Sequence, residues 1–343
     1  MTILIWIAVA AASIAIVWKA SGALEGSSEK LSQHYGLPPV VQGTIVVAVG
    51  SSFPELATTV ISALIHGEFQ LGVAAIVGSA IFNILVIPAL SGLFAKEGRL
   101  ESNRELVFKE AQFYMISVAV LLLTFCFAVI YFPVDTGNGT VDGEVNRLLA
   151  LIPIGLYGLY VFVQYLETVD SEDDEEKPAI AVGKQLLIFG ASLLAIVAGV
   201  EGLVRAAISF GEIFDTPSFL WGFTVIAAGT SIPDAFISVR AASRGNGVIS
   251  IGNVLGSNIF DLLVAIPAGV MVAGTTVIVF SVAAPMMGLL TLATIALFVA
   301  LRTSMVLKRG ECVMLLALYG AIVGWVVLES FGVTTLMRGL LAN

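Results

Sequence analysis

Three carboxylates, Glu55, Asp234 and Asp261, fall near the middle of long apolar stretches, in the company of hydroxyl residues and glycine. No lysine or arginine in those stretches stands at the same depth to neutralise them. A carboxylate at the centre of a bilayer costs at least about 2.5 kcal/mol, so three of them call for an explanation. The donors around them are oxygen: the hydroxyls of Ser51, Ser52, Ser79, Thr230, Ser231 and Ser257, with Asn83 as the neutral counterpart of Asp261. An oxygen set without nitrogen or sulfur suits hard cations: Na⁺, Ca²⁺, K⁺ or protons. The bland alternative is that protonated carboxyls and small residues serve as helix-packing glue. Two related copies at one depth favour an ion site.

The copies are explicit. Ala48–Glu55 (AVGSSFPE) returns as Ala227–Asp234 (AAGTSIPD), and Gly78–Asn83 (GSAIFN) returns as Gly256–Asp261 (GSNIFD). The offset is 179 residues in the first pair (48 to 227) and 178 in the second (78 to 256), and Pro38/Pro217 and Gly43/Gly222 extend the match upstream. Pro54 and Pro233 lack a helix N–H and clash with the preceding turn, which predicts breaks there in the second and seventh spans. Gly50 and Gly229 ease such a bend. Broken helices release backbone carbonyls into the same layer.

The elements that must carry these residues are membrane spans. Of 343 residues, 58% are hydrophobic and 12% charged, and the mean hydropathy is +1.00. Soluble domains run near 45–50% apolar and about 25% charged. Composition therefore excludes a cytosolic enzyme, a nucleic-acid binder and a disulfide-framed secreted domain. Two cysteines (Cys126, Cys312) and two histidines (His34, His66) are too few to hold zinc or haem. No cofactor and no obligate protein partner are expected; the partners are the lipid bilayer and inorganic cations.

Ten apolar segments are long enough to cross: about 2–20, 38–65, 70–95, 110–132, 147–166, 184–207, 217–242, 248–272, 277–301 and 311–335. The runs are continuous rather than alternating, so an all-α integral membrane protein is expected, not a barrel. The first segment has neither a basic residue before it nor a cleavage signal and is taken as a span. With the N-terminus outside, 13 lysines and arginines fall on inner loops and only Arg147, Arg205 and Arg338 outside, as the positive-inside bias requires. Five spans separate each motif from its copy, and an odd number reverses direction. The expected plan is two inverted-topology halves, 1–167 and 184–343, joined by a cytoplasmic linker, 168–183. Glu167–Glu176 in and beside that linker holds seven acidic residues and no basic one, which accounts for most of the net charge of −9.

The doubled GSSxPE/GTSxPD and GS(A/N)xF(N/D) motifs resemble the alpha-repeats of the Ca²⁺:cation antiporter superfamily, which contains the Na⁺/Ca²⁺ exchangers. The resemblance is strong over about 38–90 and 217–270 and topological elsewhere. It implies exchange of Ca²⁺ for Na⁺ by alternating access, in the direction of Ca²⁺ extrusion, in a prokaryotic plasma membrane. It implies further that Glu55 and Asp234 bind Ca²⁺ and share in Na⁺ binding. The hydroxyls at 51, 52, 79, 230, 231 and 257 and the carbonyls of Ala48 and Ala227 would complete the sites, with Asn83 and Asp261 as a central pair. Two departures stand out: aspartate at 234 where many prokaryotic relatives have glutamate, and Ala80 opposite Asn258. The combination looks most like the K⁺-dependent exchangers, so K⁺ or H⁺ remain open as counter-ions.

Other features read as structural. From Asp170, the acidic run puts Glu175 and Ala181 where an EF-hand needs glycine and glutamate, so it is taken as a solvated linker dispensable for transport. The stretch from Asp135 to Gly143 is a turn-rich outer loop. Glu201 and Arg205, four apart, are expected to pair. A cation channel and an intramembrane hydrolase are the competing classes. The channel lacks a symmetric ring, and the hydrolase lacks a serine–histidine pair.

Overall fold

The computed structural model of the chain describes residues 2–35, 48–96, 98–104, 106–135, 140–168 and 180–337. Pro38, Gly43, the acidic run 170–176 and Arg338 lie outside the described residues. The fold is all-α, as expected. Among the described residues nine helices are long and apolar enough to cross a membrane, and the apolar helix Phe53–Leu64 is shorter. The helices are α1 (Thr2–Tyr35), α2 (Ala48–Ser51), α3 (Phe53–Leu64), α4 (Phe69–Phe94), α5 (Ala111–Tyr131), α6 (Arg147–Thr168) and α7 (Val182–Phe214). They continue as α8 (Ser218–Trp221), α9 (Ala227–Ser243), α10 (Gly247–Phe260), α11 (Ile266–Ala273), α12 (Phe280–Ser304) and α13 (Arg309–Ser330).

Hydrophobicity around the helix decides who sits inside. Helix α4 is apolar on every face and buried along nearly its whole length, which makes it the central post. Helices α3, α9 and α10 pack on it and carry the motifs. Outer helices expose apolar side chains such as Leu187, Leu194 and Leu292, as a lipid-facing surface requires. Helices α1 and α7 lie along each other, with Gly199 and Gly202 on α7 letting Ser13 and Val17 of α1 come close.

Two short ribbons tie the ends together. Strand β1 (Arg99–Glu101) pairs antiparallel with β5 (Val306–Lys308), Leu100 opposite Leu307. At another loop cluster β2 (Pro133–Val134), β3 (Asp142–Asn146) and β4 (Thr275–Val279) form a three-stranded ribbon. The loop after the third span thus meets the loop after the ninth, and the loop after the eighth meets the loop after the fourth. Each ribbon thus joins a loop from the first half of the sequence to a loop from the second.

Two sequence expectations change. Helix α1 runs to Tyr35 rather than ending near residue 20. Its later turns stay helical because Ser21, Ser27, Ser28 and Ser32 are buried against neighbours, and Ser27 and Ser32 bond back to the carbonyls of Leu24 and Glu29. The second span breaks at Ser52 (φ −93, ψ 9), just before Pro54, as the proline predicted. In the seventh span the interruption is displaced. Pro233 lies inside α9, and the irregularity is a π-helical turn at Gly222–Ile226, ahead of the motif. A π turn shifts the hydrogen-bond ladder without ending the helix, so the backbone absorbs the misfit there. Glu201 does pair with Arg205 (2.5 Å), and His66 joins the same carboxylate at 2.9 Å, linking α7 to the end of α3.

The motif glycines are not equivalent in this packing. A Cβ on Gly78 of α4 would collide with the Phe223 carbonyl in the π turn and stand 2.9 Å from Ala227 Cβ, whereas nothing lies within 4 Å of one on Gly256. Gly78→Ala should therefore cost about 1–3 kcal/mol by overpacking, while Gly256→Ala should stay within about 0.5 kcal/mol of wild type. Apparent melting temperatures of the two variants in detergent check this; equal shifts would contradict it.

Candidate cation site

Each motif delivers its acid from a different kind of backbone. Glu55 sits in the first turn of α3, immediately after the break at Ser52, where unpaired helix N–H groups favour negative charge. Asp234 follows Pro233 within α9, and proline's missing N–H leaves the carbonyl one turn earlier without its helical donor. Asp261 opens a π-helical turn, Asp261–Ala265, between α10 and α11. Thr59 of α3 donates to the Ala265 carbonyl at the far end of that turn (2.6 Å), so the irregular backbone of one span is held by the other.

These elements bring the expected residues together. Ser51, Ser52, Glu55, Ser79, Asn83, Thr230, Ser231, Asp234, Ser257 and Asp261 are all buried. Hydroxyls pair across the two halves: Ser79 with Ser231 at 2.7 Å and Ser51 with Ser257 at 3.3 Å. Ser79 also donates to Glu55 Oε1 at 3.5 Å, and the Thr230 hydroxyl faces the same carboxylate. Thr230 approaches the Ala227 carbonyl at 3.4 Å, and Ala48 is the first residue of α2. Ser51, Ser257 and Asn253 stand around Asp234, and Ser52 stands beside Asp261. Asp261 lies close enough to both Glu55 and Asp234 for their charges to interact.

The decisive feature is what these oxygens lack. Among the described residues, Glu55 Oε2, both oxygens of Asp234, both oxygens of Asp261, Asn83 Oδ1 and Ser52 Oγ are buried without a hydrogen bond of good geometry, although hydroxyls and Asn253 stand near the two aspartates. Folded proteins leave few buried polar atoms in that state, because each forfeits its hydration for nothing. Here seven such atoms belong to the motif residues. Among the described residues no group of three or more acidic, histidine or cysteine side chains could hold one metal ion. A cation held here would draw on hydroxyl and carbonyl oxygens besides the carboxylates.

Two residues outside the expected set arrange it. Asn83 donates its amide to Asn258 Oδ1 at 3.0 Å, and Asn258 donates to the Ala80 carbonyl at 3.1 Å and towards Tyr114 Oη at 3.3 Å. Asn83 Oδ1 is thereby left as the open acceptor. The Ala80/Asn258 difference between the repeats signals this: the larger residue in one half reaches the smaller residue's backbone in the other. Tyr114 gave no signal, since it comes from α5, outside the motifs.

Comparison with known proteins gives the family. The family described as "Sodium/calcium exchanger protein" matches residues 5–166 and 184–328, which is most of the chain. The chain belongs to the sodium/calcium exchanger family. It is 27% identical to an uncharacterized membrane protein of Methanocaldococcus jannaschii, over 85% of this chain and 88% of that one. It is 24% identical to the sodium/calcium exchanger MaX1 of Methanosarcina acetivorans, over 86% and 91%. It also matches human sodium/potassium/calcium exchanger 5 at 25% identity, over 69% of this chain and 64% of that protein. Among solved structures, the sodium-calcium exchanger NCX_Mj soaked with Na⁺ and Sr²⁺ shares the fold at a TM-score of 0.62 and 21% identity, covering 94% of this chain and 99% of that one. Within the family fold, the matched segments stop at 166 and resume at 184, either side of the acidic run.

Removing the Asn258 amide should leave Asn83 buried with its donor unpaired. Asn258→Ala is expected to cost about 1–3 kcal/mol, and Asn83→Ala in that background should add clearly less than it does alone. A double-mutant cycle on detergent stability measures the coupling; strictly additive effects would dismiss it.

Proposed function

We propose that this member of the sodium/calcium exchanger family exchanges Ca²⁺ for Na⁺ across a membrane by alternating access, with Glu55 and Asp234 as the acids that hold Ca²⁺. The observation that carries the reading is the set of buried, unpartnered oxygens drawn from both repeats. A channel offers permanent water to such groups, whereas an occluded site exposes them only in turn to each side. Two carboxylates match the charge of one Ca²⁺, and the surrounding hydroxyls match a dehydrated Na⁺.

The two halves are inverted copies in this proposal. Support comes from the offset motifs and from the exchanged strand ribbons, β1 with β5 and β4 with β3. The lysine and arginine distribution supports an orientation with both termini outside and the acidic linker in the cytoplasm, and the membrane in this proposal is a prokaryotic plasma membrane. With inward Na⁺ driving transport, the direction is Ca²⁺ extrusion. Ser51, Ser52, Ser79, Thr230, Ser231, Ser257 and the carbonyls of Ala48 and Ala227 complete the ion shell.

Glu55→Gln and Asp234→Asn should each abolish Na⁺-driven ⁴⁵Ca²⁺ uptake into proteoliposomes, because a neutral amide cannot balance a dication in a low-dielectric site. Near-normal exchange by either variant would sink the assignment.

Asp261 stands apart from that pair. A third negative charge would leave a Ca²⁺-loaded site net negative, so we assign Asp261 to the neutral acid. Asn mimics that form, and Asp261→Asn should keep Na⁺-driven Ca²⁺ exchange close to wild type with Na⁺, K⁺ and H⁺ gradients tested separately. A wild type strictly dependent on K⁺ that loses this dependence in Asp261→Asn would instead make Asp261 the seat of a monovalent ion.

A further inference from the structure

One face of α1 carries Ile14, Trp18, Ser21 and Glu25 at helical spacing. That face lies on the motif helices. A Cβ on Gly229 would stand 3.0 Å from Ile14 Cγ1, and one on Gly50 would stand 3.7 Å from Glu25 Cα. Trp18 meets Phe236 edge-on, ring centroids 5.6 Å apart. Its two polar members therefore lie at the level of the second-span break and of the Asp234 turn.

Neither polar group is explained by packing. Ser21 is 2% exposed, and its Oγ has no hydrogen-bond partner among the described residues. Glu25 is half-buried, and the nearest charges it meets are Asp234 and Glu29, both acidic. Lys19 and Lys30 are exposed and leave the helix in other directions. One turn beyond Glu25, Glu29 reaches solvent. Three carboxylates thus step inward: Glu29 exposed, Glu25 half-buried, Asp234 buried.

The other half shows that this polarity is not a packing requirement. The offset of 179 places Leu193, Val197, Val200 and Val204 of α7 at the equivalent positions, and all four are apolar. At these four positions α1 carries oxygen where α7 carries only hydrocarbon.

We propose that Ser21 and Glu25 form an entry site for Na⁺ and Ca²⁺, which takes a cation arriving from the Tyr35 end of α1 and passes it to Asp234. The role rests on the antiport reading above and extends it to a route; on the orientation proposed there, the route is cytoplasmic. Glu25 binds weakly because it is a single charge beside water, and weak binding is what an entry site needs if the ion is to move on.

The test uses the full chain in vesicles, with Ca²⁺ varied separately at each face. Glu25→Gln should weaken the apparent Ca²⁺ affinity at one face by roughly three- to tenfold, an effect that shrinks as inert salt screens the charge. Affinity at the opposite face should stay at its wild-type value. Glu25→Asp should recover most of the loss, and Ser21→Ala should shift the same face by less. No change at either face, or an equal change at both, would overturn the proposal. A second arm does not depend on transport: ⁴⁵Ca²⁺ binding to purified Glu55→Gln/Asp234→Asn protein should show a weak site that Glu25→Gln removes, and absence of any Glu25-dependent binding would also overturn it. A wild type without Na⁺-driven flux would reject the antiport reading, and the binding arm would still decide the entry site.

Discussion

Carboxyl and amide oxygens held in the core without partners set the terms for the rest of the molecule. Glu55, Asp234, Asp261 and Asn83 give up hydration and receive too few hydrogen bonds in return. In a low-dielectric interior that deficit is large, and it destabilises the empty site relative to one filled by a cation. The surrounding fold must therefore be stiff enough to keep the oxygens from collapsing onto one another. The buried α4 post carries Ser79 and Asn83, and the hydroxyl pairs Ser79–Ser231 and Ser51–Ser257 join the motifs of the two repeats.

Backbone irregularity is the second part of the device. A straight helix spends its carbonyls on its own ladder and has none to offer an ion. This chain interrupts the ladder at Ser52, at Gly222–Ile226 and at Asp261–Ala265, all within or beside the motifs. Each interruption is stabilised from the opposite half or by close packing, as where Thr59 donates to Ala265 and where Gly78 admits the Phe223 carbonyl. Irregular backbone at such depth is tolerated only where protein encloses it.

The halves share a plan but not its details, and the differences carry meaning. Asn258 faces Ala80, Asp261 faces Asn83, and the polar face of α1 faces an apolar one on α7. A strictly symmetric molecule would treat both sides of the membrane alike. These substitutions make the two halves chemically unequal around the motif residues.

Much was determined by the sequence alone. Hydrophobic length fixes the spans, since the bilayer leaves a helix no other way to satisfy its backbone. The doubled motifs single out Glu55, Asp234, Asp261 and their hydroxyl neighbours, and the fold buries all of them. Only the tertiary structure decided the rest. Proline at 233 predicted a break, but a π turn eleven to seven residues earlier took up the strain, because a helix relieves misfit wherever its neighbours leave room. The reach of α1 to Tyr35 was illegible because its serine face looks polar until a neighbouring helix buries it. Tyr114 and Glu25 depend on contacts between distant segments, and no local pattern records which side chains long-range packing will bring together.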